Sequence, residues 1–135
     1  MKHMALHFAK YAGRLIDAPD ETDFKRTAVD TLVIAVSSSN VLNISLSDLD
    51  FPELVLNGRD DFVQRLVVGA GRMAAACEKM DHLEDFPFRR VLVEETVKLV
   101  QLTYTLFVTE GWEPTAEMHA RLLSIKKKSM FHEQV

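Results

Sequence analysis

Apolar positions recur at three- and four-residue steps along most of this chain, the period of an amphipathic helix, and predict five helices and no sheet. The first is expected over about residues 4–17, with Leu6, Phe8, Ala9, Ala12, Leu15 and Ile16 inward, and Pro19 ends it. The second spans about residues 23–42, with Asn43 as a left-handed cap. Its apolar line of Val29, Val33 and Val36 also carries Asn40, and Ser37, Ser38 and Ser39 leave room for a close neighbour. The β-branched run there is longer than a usual strand, which favours helix. Residues 44–57 form an irregular link punctuated by Pro52 and Gly58. A third helix starts at Asp60 and Asp61 and places Phe62, Leu66, Gly69, Ala70, Met73, Cys77 and Met80 on one face. Its glycines and alanines imply close helix–helix approach. Phe86 and Pro87 turn the chain into a fourth helix that stops at Gly111. Trp112 and Pro114 form a corner before a fifth helix over residues 115 to about 131.

Within the fourth helix, Leu92, Glu95, Leu99, Leu102 and Leu106 fall on one stripe, so a carboxylate sits inside an apolar face. Such a charge must be paired, metal-bound or protonated. Glu94 lies on a different line with Arg90, Lys98, Gln101 and Thr105, the solvated side.

The length of 135 residues suits one domain with a real core. A net charge of −4 gives no field that would attract a nucleic-acid backbone, so nucleic acid is not an expected partner. Cys77 is the only cysteine; it excludes an internal disulfide and a Cys/His zinc site, and its alanine-rich setting suggests a buried thiol. No apolar run reaches membrane-span length and no signal-peptide core is visible, so a cytoplasmic location without membrane association is expected. A short echo runs through the chain: Ala12-Gly13-Arg14 returns as Ala70-Gly71-Arg72, and Phe24-Lys25-Arg26 as Phe88-Arg89-Arg90. This suggests two related helical hairpins in an all-α bundle of four to five helices.

Several residues could carry chemistry. Glu78, Asp81, His82 and Asp85 are spaced to share one helix face, and with Glu95 could offer oxygen ligands to Mg²⁺; otherwise they form a solvated face near a turn. Asp30 borders an apolar stripe and is either a ligand or the partner of a basic side chain such as Arg26. Asn40 could read a base or bond across the core. Lys126, Lys127 and Lys128, with Arg121, could neutralise phosphates or simply be solvated. None of the phosphate-loop, dinucleotide, zinc-protease or nucleophile-elbow motifs occurs.

Two segments carry a resemblance. Residues 26–34 continuing to Ile44, and residues 94–102 continuing to Trp112, resemble the second metal-binding helix of the MazG-like nucleotide pyrophosphohydrolases. In that all-α family the helix bears an E-x-x-D signature, and a preceding E-E-x-x-E motif completes an acidic site. There Mg²⁺ positions water for attack between the α- and β-phosphates of a nucleoside triphosphate. Here Thr27 stands at the first acid of E-x-x-D, Asp30 at the last, and the nearest string to the other motif is Glu94-Glu95-x-x-Lys98. The small-residue faces and long apolar helices suggest a homodimer, and the resemblance implies a helical bundle that hydrolyses a nucleoside triphosphate to the monophosphate and pyrophosphate, or binds a nucleotide or another phosphate-containing small molecule, through Mg²⁺. Its ligands would be Asp30, Glu94 and Glu95, with Glu78 and Asp81 as geometric substitutes, and Asn40, Lys126 and Lys127 would face the substrate. The alternative is a catalytically inactive helical module that dimerises or docks a protein.

Overall fold

Local chemistry sets the start of the second helix. Asp20 caps the second helix, its Oδ1 accepting from the Asp23 amide at 2.9 Å, and Glu21 and Asp23 place negative charge in the first turn. The computed structural model describes residues 1–128 and contains α1 (Lys2–Ile16), α2 (Glu21–Val41), a 3₁₀ turn (Leu46–Asp48), α3 (Arg59–Asp81), α4 (Phe88–Glu110) and α5 (Pro114–Lys128). No strand occurs among the described residues. The all-α bundle is therefore as the periodicity indicates. The expected end of the fifth helix beyond Lys128 lies outside the described residues.

Three helices end in the same way. Asn43, Leu83 and Gly111 adopt φ of 57°, 55° and 76° after α2, α3 and α4. The next amide reaches back in each case: Ile44 to the Ser39 carbonyl, Glu84 to Lys79 and Trp112 to Phe107, at 2.9, 3.0 and 2.9 Å. The turn at Leu83 corrects one expectation. Helical polarity continues through Asp85 in sequence, but α3 stops at Asp81, and His82 and Asp85 leave the face that Glu78 begins.

Helices α1 and α2 form one antiparallel hairpin, and α3 and α4 a second. Helix α1 packs on α2 and α3, and α4 packs on the same two. Lys2 meets Asp81 at 2.6 Å, so the start of α1 lies beside the end of α3. At the other end Arg59 opens α3 and bonds both Glu21 and Glu110, at 2.6 to 2.9 Å. The order is therefore up, down, down, up, with residues 42–58 crossing the length of the bundle. Phe8, Leu32, Phe62, Leu66, Met73, Leu99, Leu106 and Phe107 fill the centre. Two of the threonines buried among them satisfy their hydroxyls locally, Thr31 and Thr103 donating to the carbonyls of Thr27 and Leu99 at 2.8 and 2.7 Å, whereas the Thr96 hydroxyl has no partner among the described residues.

Close approach is confined to one glycine. A Cβ at Gly69 would stand 2.8 Å from Leu99 Cδ2, so Gly69 lets α3 lie tightly on α4. Gly71 faces open space instead. Trp112 packs edge-on to Phe107, as a corner residue, with Lys25 over its ring. Helix α5 rests on α2 and α4 and leaves Leu122, Leu123 and Ile125 exposed. No helix among the described residues is long and apolar enough to cross a membrane.

Candidate functional site

The crossover does not lie flat on the bundle. Gln101 Nε2 donates to the Pro52 carbonyl, and Arg65 Nη2 to the Val55 carbonyl at 3.4 Å, so the segment bridges α3 and α4 as a strap. Beneath it lies a cleft of about 560 Å³. Leu54, Val68, Leu99 and Leu102 give it apolar walls, and Gln64 and Gln101 supply amides.

Glu95 stands in this cleft and is only 5% exposed. Its apolar setting, legible in the helix period, is resolved by pairing. Lys98 Nζ approaches Oε1 at 3.3 Å and Arg72 Nη1 approaches the same oxygen at 3.6 Å. Both contacts use Oε1, so Oε2 has no donor among the described residues. Arg65 also lines the cleft and is bound to Asp61 at 3.0 Å. The Asn57 amide and Arg65 together hold the Asp61 carboxyl below its ordinary range. Three cations thus share two carboxylates, leaving the mouth with one excess positive charge.

A second groove, of about 640 Å³, lies on the other hairpin, between α1 and α2 at the turn that joins them. Here Asp30 is the acid, and Arg121 reaches it from α5 as a fork, Nε to Oδ1 at 2.7 Å and Nη2 to Oδ2 at 3.3 Å. Hydrogen bonding to Asp30 raises the proton affinity of Arg121. The basic partner of Asp30 is therefore Arg121, ninety-one positions away in sequence, and not Arg26.

The other candidate residues are spread over the surface. Glu94 is exposed, with Arg90 at 3.8 Å. Glu78 and Asp81 line a third, apolar groove of about 610 Å³ between α1 and α3, where Asp81 pairs with Lys2. That groove and the Glu95 cleft flank α3 on different sides and share no lining residue. Asn40 is exposed on the outer side of the last turn of α2, where Ser38 and Ser39 take the inward positions, so it neither bonds across the interior nor lines a cleft described here. Lys126 and Lys127 lie exposed at the end of α5. Of the five carboxylates expected around Mg²⁺, only Glu78 and Asp81 thus share a surface. No group of three or more His, Cys, Asp or Glu among the described residues is placed to hold a metal. These residues do not fit a protein-built Mg²⁺ cage.

Cys77 is buried and burial pushes its thiol up, away from thiolate reactivity. Sequence reasoning missed Arg72 as the partner of Glu95, although the Ala-Gly-Arg echo marks it beside Arg14. Each of these arginines lines the groove of its own hairpin. Arg59 had no such signal. Comparisons with protein families, curated proteins and solved structures find no match.

Proposed function

We propose that this protein binds a nucleotide or a related phosphate-bearing small molecule in the cleft between α3 and α4. The observation that supports this reading is the setting of Glu95: a nearly buried carboxylate with one open oxygen, beneath a mouth of Arg65, Arg72 and Lys98. The open oxygen suits the N–H edge of a base, the apolar walls suit its faces, and the cations suit phosphate. Mg²⁺ enters this reading only as the ion a nucleotide carries with it.

Thermal denaturation against nucleoside triphosphates, with and without Mg²⁺, tests the reading. A ligand bound to the native state raises the melting temperature by mass action. Wild type is expected to shift with at least one nucleotide, and both Glu95→Gln and the double variant Arg72→Ala/Lys98→Ala are expected to lose that shift. A nucleotide shift that survives in both variants would remove the cleft from consideration.

The second reading is a dimerising or protein-docking module, and the groove between α1 and α3 favours it. Leu6 and Ile16 are 70% and 68% exposed there, beside exposed Val67. An apolar face of this kind suits contact with protein. Light scattering on wild type and on Leu6→Asp/Val67→Asp checks it: this reading expects a dimer that the double variant converts to monomer.

A further inference from the structure

We infer that the groove between α1 and α2 is a second binding site, one that takes a compact phosphate-bearing molecule directly on arginine and lysine side chains. It is a different surface from the α3–α4 cleft and stands without it.

The argument begins with unspent charge. Lys10 and Arg14 are one turn apart on α1, on one face of the helix, and Arg26 faces the groove from α2. Among the described residues, none of these three forms an ion pair. Three acids line the same groove: among the described residues no ion pair joins Asp17 or Asp23 to these cations, and both oxygens of Asp30 are already taken by Arg121. In the α3–α4 cleft the corresponding arginine, Arg72, is drawn onto Glu95. In the α1–α2 groove a fifth helix supplies a separate arginine for the acid, and Arg14 remains available. Helix α5 therefore keeps this groove cationic.

The groove also has room. An added Cβ at Gly13 would meet nothing within 4 Å, so the glycine is not there for packing. It costs helix stability and leaves open space beside Arg14. Behind the groove, Tyr11 is buried, and burial and Asp30 raise its proton affinity while Arg14 and Arg121 oppose the rise. The phenol thus stays neutral and adds no competing negative charge.

Two guanidinium groups and an ammonium match the charge and geometry of a doubly or triply charged oxyanion, with arginine gripping two oxygens at once. Asp17 and Asp23 stand on the rim, and the whole chain carries −4. That field repels an extended polyanion and leaves a short one, such as a diphosphate group, as the fitting ligand.

Titration calorimetry of the full chain with inorganic pyrophosphate at low ionic strength tests this. Wild type is expected to bind, and salt is expected to weaken the binding by screening. Arg14→Ala/Arg26→Ala should weaken it at least about tenfold, since each removes a charge-assisted contact. Arg72→Ala/Lys98→Ala should leave it unchanged, which separates this site from the α3–α4 cleft. Both altered pairs are on exposed side chains, and Arg14→Glu gives an independent second variant expected to abolish binding. Arg121→Ala should weaken binding too, because Arg14 would be drawn to the vacated Asp30. The proposal is overturned if wild type does not bind pyrophosphate, if binding persists in Arg14→Glu, or if the Arg72/Lys98 pair removes it.

Discussion

The two hairpins carry the same kind of groove and treat charge in opposite ways. In each, the arginine of an Ala-Gly-Arg segment on the first helix lines the groove together with an acid from the second. On the α3–α4 side the acid is nearly buried and is held loosely by two exposed cations from its own hairpin, at 3.3 and 3.6 Å. On the α1–α2 side the acid is gripped by one arginine from outside the hairpin, at 2.7 and 3.3 Å. A salt bridge is a means of choosing which charges remain free as much as a source of stability. The same arginine position ends committed to an acid in one groove and open to solvent in the other.

Cutting each pair breaks the comparison most directly. Arg121→Ala removes the two-bond fork from Asp30, whose side chain is 13% exposed, and even with exposed Arg14 drawn toward the acid is expected to cost about 2 kcal/mol. Arg72→Ala leaves Lys98 on Glu95 and removes only a long, exposed contact, so the loss should stay under about 1 kcal/mol. Urea denaturation of both variants measures the difference; equal losses would mean that the two pairs are not distinct in kind.

The next effect concerns the clamp that joins the hairpins rather than either groove. The Arg59 hydrogen bonds hold the Glu110 carboxyl below its ordinary value of 4.5. A depressed native carboxyl contributes stability above the unfolded value and loses it as pH falls toward the native one. Stability should therefore decline below about pH 4.5, and Glu110→Gln should flatten part of that decline while lowering stability at neutral pH by about 1 kcal/mol. Acid titration of the melting temperature reads both.

The smallest effects separate three glycines. Gly69→Ala forces Leu99 aside and should destabilise by about 1 kcal/mol. Gly13→Ala and Gly71→Ala meet open space and should each stabilise by about 0.5–1 kcal/mol through helix propensity. If the α1–α2 groove takes a ligand beside Gly13, the alanine there should improve melting and impair pyrophosphate binding at once.

Much of the architecture was legible because it is written in local periods. Five helices, the cap at Asn43, the stop at Gly111 and the inward turn of Glu95 all follow from spacing within one element. The end of α3 was not, because Leu83 takes a left-handed conformation that leucine gives no sign of adopting. Asn40 is exposed because the line through Val29, Val33 and Val36 drifts off the core face by the last turn of α2. The partners of the acids were least legible. Asp30 meets Arg121 and Arg59 meets Glu110 across long stretches of chain, and no short-range pattern encodes which cation will arrive.

The crossover has a consequence for assembly. Each hairpin is built from neighbours in sequence, whereas α1 on α3, α2 on α4 and the Arg59 clamp join the two halves through space. The covalent connection between them runs through exposed residues around Leu49 and Phe51. A chain severed there would keep the same helix–helix surfaces, and its folding would become a bimolecular reaction whose midpoint rises with concentration. The bundle is in that sense a dimer of hairpins whose tether sets their effective concentration.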